Sequence, residues 1–289
     1  ACTDPVVPPI VPTTHDLVFE GYLSGTAELL VWDSEADSVR RLLPPGMVVM
    51  DPEPSPDGSR IAFVVADYPS GTGDIFVMDR DGGNVDQITF DDELQDQPSW
   101  SPDGTRIAYR SYASQLSGDI WIMDADGGSA VNITPDPLPA VTEERNPSWS
   151  PDGTRIAYAS NAGGNTDIWV MAQDGSEKLR ITNTADLDVE PAWSPDGVLL
   201  AFRRSSNISG SDIHLIATTG GPTTPLVHPG EQRMPVWSPD GTRLVVVGSA
   251  TVGARPDLYT MRRNGADLEP LVTDEVPGGS LNPAFLLRP

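Results

Sequence analysis

The sequence predicts an all-β chain folded as a six-bladed β-propeller of four-stranded antiparallel blades. Three observations predict it. The tetrapeptide S-P-D-G begins at Ser55, Ser101, Ser150, Ser194 and Ser238, at steps of 46, 49, 44 and 44 residues. Each copy is followed by a block such as "GDIWIMDADGG" from Gly118 and a shorter one such as "VNITP" from Val131. The two chain ends hold complementary fragments of one further unit. A period of about 40–50 residues with four short β-like segments marks a propeller blade.

Each element of the unit has a physical reason. "PSW" opens the first strand with proline, which a strand tolerates at its first residue. "SPDG" makes a tight turn: proline presets φ, aspartate folds back on the backbone and glycine takes the left-handed position. "TRIAYRS" from Thr105 is the second strand, rich in β-branched and aromatic residues. "DIWIMD" is the third, "DADGG" a second hairpin turn and "VNIT" the fourth. Strands two and three carry near-continuous apolar runs, as expected where both faces are covered by neighbouring blades. Residues 15–43 supply strands two to four of a blade, and "NPAFLLRP" from Asn282 supplies a first strand. Joined, they close the ring and protect an otherwise unpaired edge.

Composition narrows the partners. With 42 acidic against 18 basic residues, net charge is −24, and Lys178 is the single lysine. Such a chain repels nucleic acid and anionic membrane surfaces. Cations, basic proteins and neutral surfaces remain as partners. One cysteine, Cys2, excludes an intrachain disulfide. No apolar run of about 18 residues occurs. The opening "ACTDPVVPPIVPTT" reads as a tether over residues 1–13 before a propeller over 14–289. It is similar to the processed end of a bacterial lipoprotein, with Cys2 as the lipidated residue and the sole route to a membrane. An incidental thiol on a tail is the alternative.

The P-x-W-S-P-D-G…D-I-W pattern resembles the TolB-type propeller over about residues 14–289. The resemblance implies a ring-shaped scaffold of the bacterial periplasm, outer membrane or cell surface. No counterpart of TolB's N-terminal α/β domain is present in the sequence, nor the hydrolase domain of peptidases with similar propellers. Architecture therefore carries over, and site residues do not.

The repeated polar residues read as structural, because catalysis needs one asymmetric constellation. Arg60, Arg106, Arg155 and Arg243 recur on strand two, and Asp74, Asp119, Asp167, Asp212 and Asp257 on strand three. Pairing across the hairpin is one expectation. Asp212 lacks its arginine, since Leu199 stands there, so backbone amides are the other. No G-x-S-x-G hydrolase elbow occurs. Of three histidines, His214 fills the slot of Phe76, Trp121, Trp169 and Tyr259 and reads as a packed ring. The "DRDGGN" from Asp79 lacks the spacing and final glutamate of a calcium loop. "NIT" at Asn132 and "NIS" at Asn207 fit a glycosylation sequon.

Function is sought where the repeats diverge, in the loops between strands two and three and in the blade connections. Both fall on one face, around the channel mouth. The connections are acidic, as in "DDELQDQ" from Asp91. The residue before each strand-one proline should reach the channel: Asp51, Gln97, Asn146, Glu190, Met234 and Asn282. Such a ring can hold calcium, with Asp51 and Glu190 as ligands, or bond water and neighbouring blades. Arg145 and Arg233 share the rim and offer charge to an anionic group. Three readings follow: a non-catalytic scaffold binding protein or glycan, a subunit of a surface assembly docked through its N-terminal tail, and a cation-dependent polysaccharide lyase or lactonase.

Overall fold

The computed structural model describes residues 15–22, 25–67, 70–112, 117–136, 142–206, 210–249, 256–272, 276 and 279–287. Cys2, the tether and the Asn207 sequon lie outside them. The chain forms six four-stranded antiparallel sheets. Blade one pairs β1 (His15–Gly21), β2 (Glu28–Asp33) and β3 (Ser38–Arg41) with the C-terminal β24 (Ser280–Leu287). Blade two holds β4 (Val49–Pro54), β5 (Arg60–Asp67), β6 (Thr72–Asp79) and β7 (Asp86–Gln87). Blade three holds β8 (Gln95–Trp100), β9 (Arg106–Ser111), β10 (Asp119–Asp124) and β11 (Val131–Asn132). Blade four holds β12 (Glu144–Trp149), β13 (Arg155–Ser160), β14 (Asp167–Ala172) and β15 (Leu179–Arg180). Blade five holds β16 (Leu187–Trp193), β17 (Leu199–Ser206), β18 (Gly210–Ala217) and β19 (Thr224–Leu226). Blade six holds β20 (Gln232–Trp237), β21 (Arg243–Gly248), β22 (Asp257–Arg262) and β23 (Glu269–Val272). The β1–β24 pairing closes the ring as the split repeat requires.

The core lies between blades. Ala108, Ile120, Ile122 and Ile133 of blade three pack with Trp149, Ile156, Tyr158 and Met171 of blade four. Five further clusters join the other neighbouring pairs in the same way. Indole N–H groups add polar ties: Trp100 donates to the Glu53 carbonyl at 2.9 Å, and Trp237 to that of Ala192 at 3.1 Å.

The recurrent polar residues build turns and seams. In the S-P-D-G turn of blade three, Ser101 Oγ donates to Asp103 Oδ1 at 2.6 Å and accepts the Arg106 N–H at 3.0 Å. The Ser101 hydroxyl, with the Thr105 N–H at 3.0 Å and its hydroxyl at 2.8 Å, holds the Asp103 carboxyl down at about 2. Gly127, at φ 89°, turns the other hairpin against blade two, where a Cβ would stand 2.2 Å from the Ile88 carbonyl oxygen.

The expected Arg–Asp pairing across strands two and three does not occur. In register, Arg106 opposes Asp124, and Asp119 opposes Ser111, so the two types sit at opposite ends of the hairpin. Arg60, Arg106 and Arg155 instead lie over the tryptophans of the next blade, at 4.7, 4.9 and 5.6 Å from Trp100, Trp149 and Trp193. The strand-three aspartates take mostly side-chain donors, where backbone amides were the other expectation. Asp74 accepts from Thr89 Oγ1 at 3.1 Å, and Asp167 from Thr182 Oγ1 at 3.0 Å and from Arg180. The backbone-amide expectation holds at two of them: Asp167 also accepts the Thr184 N–H at 3.3 Å, and Asp212 accepts that of His228.

Candidate functional site: the channel mouth

The six residues before the strand-one prolines do form one ring. Asp51, Gln97, Asn146, Glu190, Met234 and Asn282 all have positive φ, between 45° and 58°. Each lies at a register shift of its strand, as between Met50 and Glu53 or between Arg145 and Ser148. A bulge of this kind bends the strand and re-aims one side chain. A left-handed non-glycine residue costs roughly 1–2 kcal/mol, so the ring stores strain at six equivalent places.

Interblade hydrogen bonds hold it. Asp51 Oδ2 accepts the Gln97 N–H at 3.1 Å, and Gln97 Oε1 accepts that of Asn146 at 2.8 Å. Glu190 Oε2 accepts the Met234 N–H at 2.6 Å, and the Met234 sulfur that of Asn282 at 3.3 Å. Glu20, which sequence reasoning missed, bridges Asn282 and Asp51: it accepts the Asp51 N–H at 2.7 Å and an Asn282 amide hydrogen. Asn282 Nδ2 also donates to Asp51 Oδ1 at 2.8 Å. Burial raises the Glu20 carboxyl, and burial and then Glu20 raise that of Asp51. Glu190 Oε1 meets Arg203 at 3.2 Å, another residue missed. Arg233 acts on Glu20 through its field, whereas Arg145 forms no ion pair among the described residues.

The ring opens on a cavity of about 160 Å³, floored by Pro52, Pro98, Pro147, Pro191, Pro235 and Pro283. Below them the channel continues as a wider space of about 320 Å³. Glu53 lines both parts. Its equivalents are Ser99, Ser148, Ala192, Val236 and Ala284. Its carboxyl takes no protein partner among the described residues, and desolvation pushes it up to about 8. Blade connections and the loops between strands two and three meet on this face, as in the Glu144 N–H bond to the Gly118 carbonyl at 2.8 Å. In the blade two-to-three connection, Phe90 is 74% exposed beside the exposed Asp91, Asp92 and Glu93. His214 stacks on Phe202 at 5.7 Å, and burial lowers it to about 4.

A ring closed by its own C-terminal strand, with a strained polar collar around a narrow channel, defines a six-bladed propeller with a funnel mouth. The chain belongs to the TolB β-propeller family: the TolB beta propeller domain matches residues 4–138 and 97–251. No curated protein matches the sequence. Among solved structures, TolB from Acinetobacter baumannii is 22% identical, with a TM-score of 0.78 over 94% of this chain and 66% of that one. The chain thus spans about two thirds of that protein. A putative TolB from Agrobacterium tumefaciens is 18% identical, with a TM-score of 0.72 over 96% and 99% of the two chains. An oligogalacturonate lyase from Vibrio parahaemolyticus is 16% identical, with a TM-score of 0.61 over 88% and 74%. These likenesses are of fold.

Proposed function

We propose that this propeller is a non-catalytic binding scaffold of the bacterial envelope, taking a protein or glycan at the face of the divergent loops. The carrying observation is the mouth itself. Five of its six collar side chains bond across blades, and its volume is smaller than the roughly 300–1,000 Å³ of sites for drug-sized ligands. A rigid collar of this size suits the tip of a chain or a single side chain, with the surrounding loops supplying area. The exposed Phe90 among three acids favours a partner with basic and apolar groups. A lipid on Cys2 would hold the scaffold at a membrane, and docking through the N-terminal tail would place it in an assembly.

The lyase or lactonase reading finds less support. His214 is a packed ring and His15 stands edge-on to Phe285 at 6.3 Å, so two of three histidines are taken up in packing. Calcium at Asp51 and Glu190 would have to compete with the Arg203 cation on Glu190 and with the donors that hold Asp51. The test is site-specific photo-crosslinking in cells, from position 90 on the loop face and from position 126 on the turn face. Crosslinks to a defined partner from position 90 alone are expected. Crosslinks from position 126 alone, or turnover of a polysaccharide lost in Glu53→Gln, would overturn the reading.

A further inference from the structure

We propose that Asp119, Asp136 and Glu144 form a divalent-cation site of the calcium class at the boundary of blades three and four, apart from the channel mouth. One oxygen from each carboxylate lies within 4.8 Å of the other two. Oxygens bound to one calcium ion at about 2.4 Å stand at most about 4.8 Å apart, so a single ion fits among them. Asp119 and Glu144 are buried, at 2% and 4% exposure. Glu144 Oε1 accepts from Ser160 Oγ at 2.7 Å, while Oε2 is shut from solvent with no hydrogen-bond partner. Asp136 is fixed by Thr142, whose N–H and hydroxyl donate to it at 2.8 and 2.6 Å. Burial pushes the Glu144 carboxyl up to about 7, and the Asp136 and Asp119 charges add to it.

The repeats provide their own control. The next boundary has the same arrangement, with Asp167 in the place of Asp119 and Asp188 in that of Glu144. There two arginines neutralise the carboxylates: Arg180 pairs with Asp167, and Arg204 with Asp188 at 2.7 Å. In blade one, Arg41 likewise pairs with Glu28. The strand registers put Asn132 where Arg180 stands and Ser160 where Arg204 stands. Arg110, the nearby cation, is taken by Asp96 and by Glu143 at 3.4 Å. Among the described residues, boundary three–four therefore gathers three carboxylates with Asn132 and Ser160 where its neighbour carries Arg180 and Arg204. Oxygen donors of this density select a hard divalent ion.

The test is calorimetric titration of calcium chloride into the full chain stripped with chelator, with melting temperature as a second readout. Wild type should bind calcium and melt higher as calcium rises. Glu144→Gln and Asp136→Asn should each weaken binding about tenfold or more, on the scale by which ligand charge tunes such sites. Asn132→Arg with Ser160→Arg copies the neighbouring boundary and should abolish the response while leaving the calcium-free melting temperature no lower. Asp51→Asn with Glu190→Gln, at the mouth, should leave the response intact. No calcium response in wild type, a response that survives Glu144→Gln and the double arginine variant, or one lost only in the mouth variant would each overturn the proposal.

Discussion

Replacing Glu53 by glutamine should remove a pH-dependent weakness of the fold. Glu53 sits at the junction of the two parts of the channel, and its carboxyl is held up to about 8 by desolvation. Free glutamate titrates near 4.3, so the folded chain holds this proton more tightly than the unfolded chain. Between those two values the folded state binds more protons, and stability falls as pH rises. Unscreened, the loss from pH 5.5 to 8 is about 3 kcal/mol, at 1.36 kcal/mol per pH unit. The side chain is only half-buried, because the channel admits water. Screening therefore reduces the loss to about 1–2 kcal/mol. Glutamine keeps the shape and carries no charge. Urea denaturation of wild type and Glu53→Gln at pH 5.5 and 9 should show the variant gaining about 1–2 kcal/mol on wild type between the two, with equal m-values. Parallel profiles would refute the desolvated carboxyl.

Two further substitutions test the seams. Asp167→Ala breaks a fully buried carboxylate from Arg180 and Thr182. Urea denaturation should show a loss of about 3 kcal/mol, the low end for a broken buried pair because Arg180 keeps partial access to water; a loss below about 1 kcal/mol would contradict the pairing. Gly127→Ala should cost more than Gly164→Ala, although both glycines have φ near 90°. A Cβ at Gly127 meets the Ile88 carbonyl oxygen at 2.2 Å, whereas nothing lies within 4 Å at Gly164. Thermal melts should rank them so, with Gly164→Ala near the roughly 1–2 kcal/mol of backbone strain alone; equal losses would exclude the interblade contact.

Much of this architecture was legible because repetition is visible in one dimension. S-P-D-G fixed the frame, the frame located the residue before each proline, and the six residues so located do share one ring. What escaped the sequence depends on neighbours far along the chain. Asn282 and Glu20 touch across 262 positions, and only ring closure brings them together. Arg203 reaches Glu190 from the adjacent strand, with no repeated signal to mark it. The Arg–Asp pairing fails on strand direction: residues at opposite ends of a hairpin cannot meet however regularly they recur. Glu53 did leave a trace, as an acid in a slot otherwise filled by serine, alanine or valine.

That trace points to how a propeller of this family is best read. A residue repeated around the ring reports what every blade needs, as Thr89 and Thr182 do in steadying Asp74 and Asp167. A residue that breaks the repeat reports what one place does. Asn132 fits a sequon, yet its amide donates to Asp119 at 2.9 Å, and its informative property is that it is not arginine. Ser160, unremarked in sequence, has the same significance opposite Glu144. Each is bland alone; in register with Arg180 and Arg204 they become two missing cations beside three carboxylates. In a closed ring of near-identical blades, the charge that one boundary lacks is measured by the boundary next to it, and a ligand is what the difference leaves to be supplied.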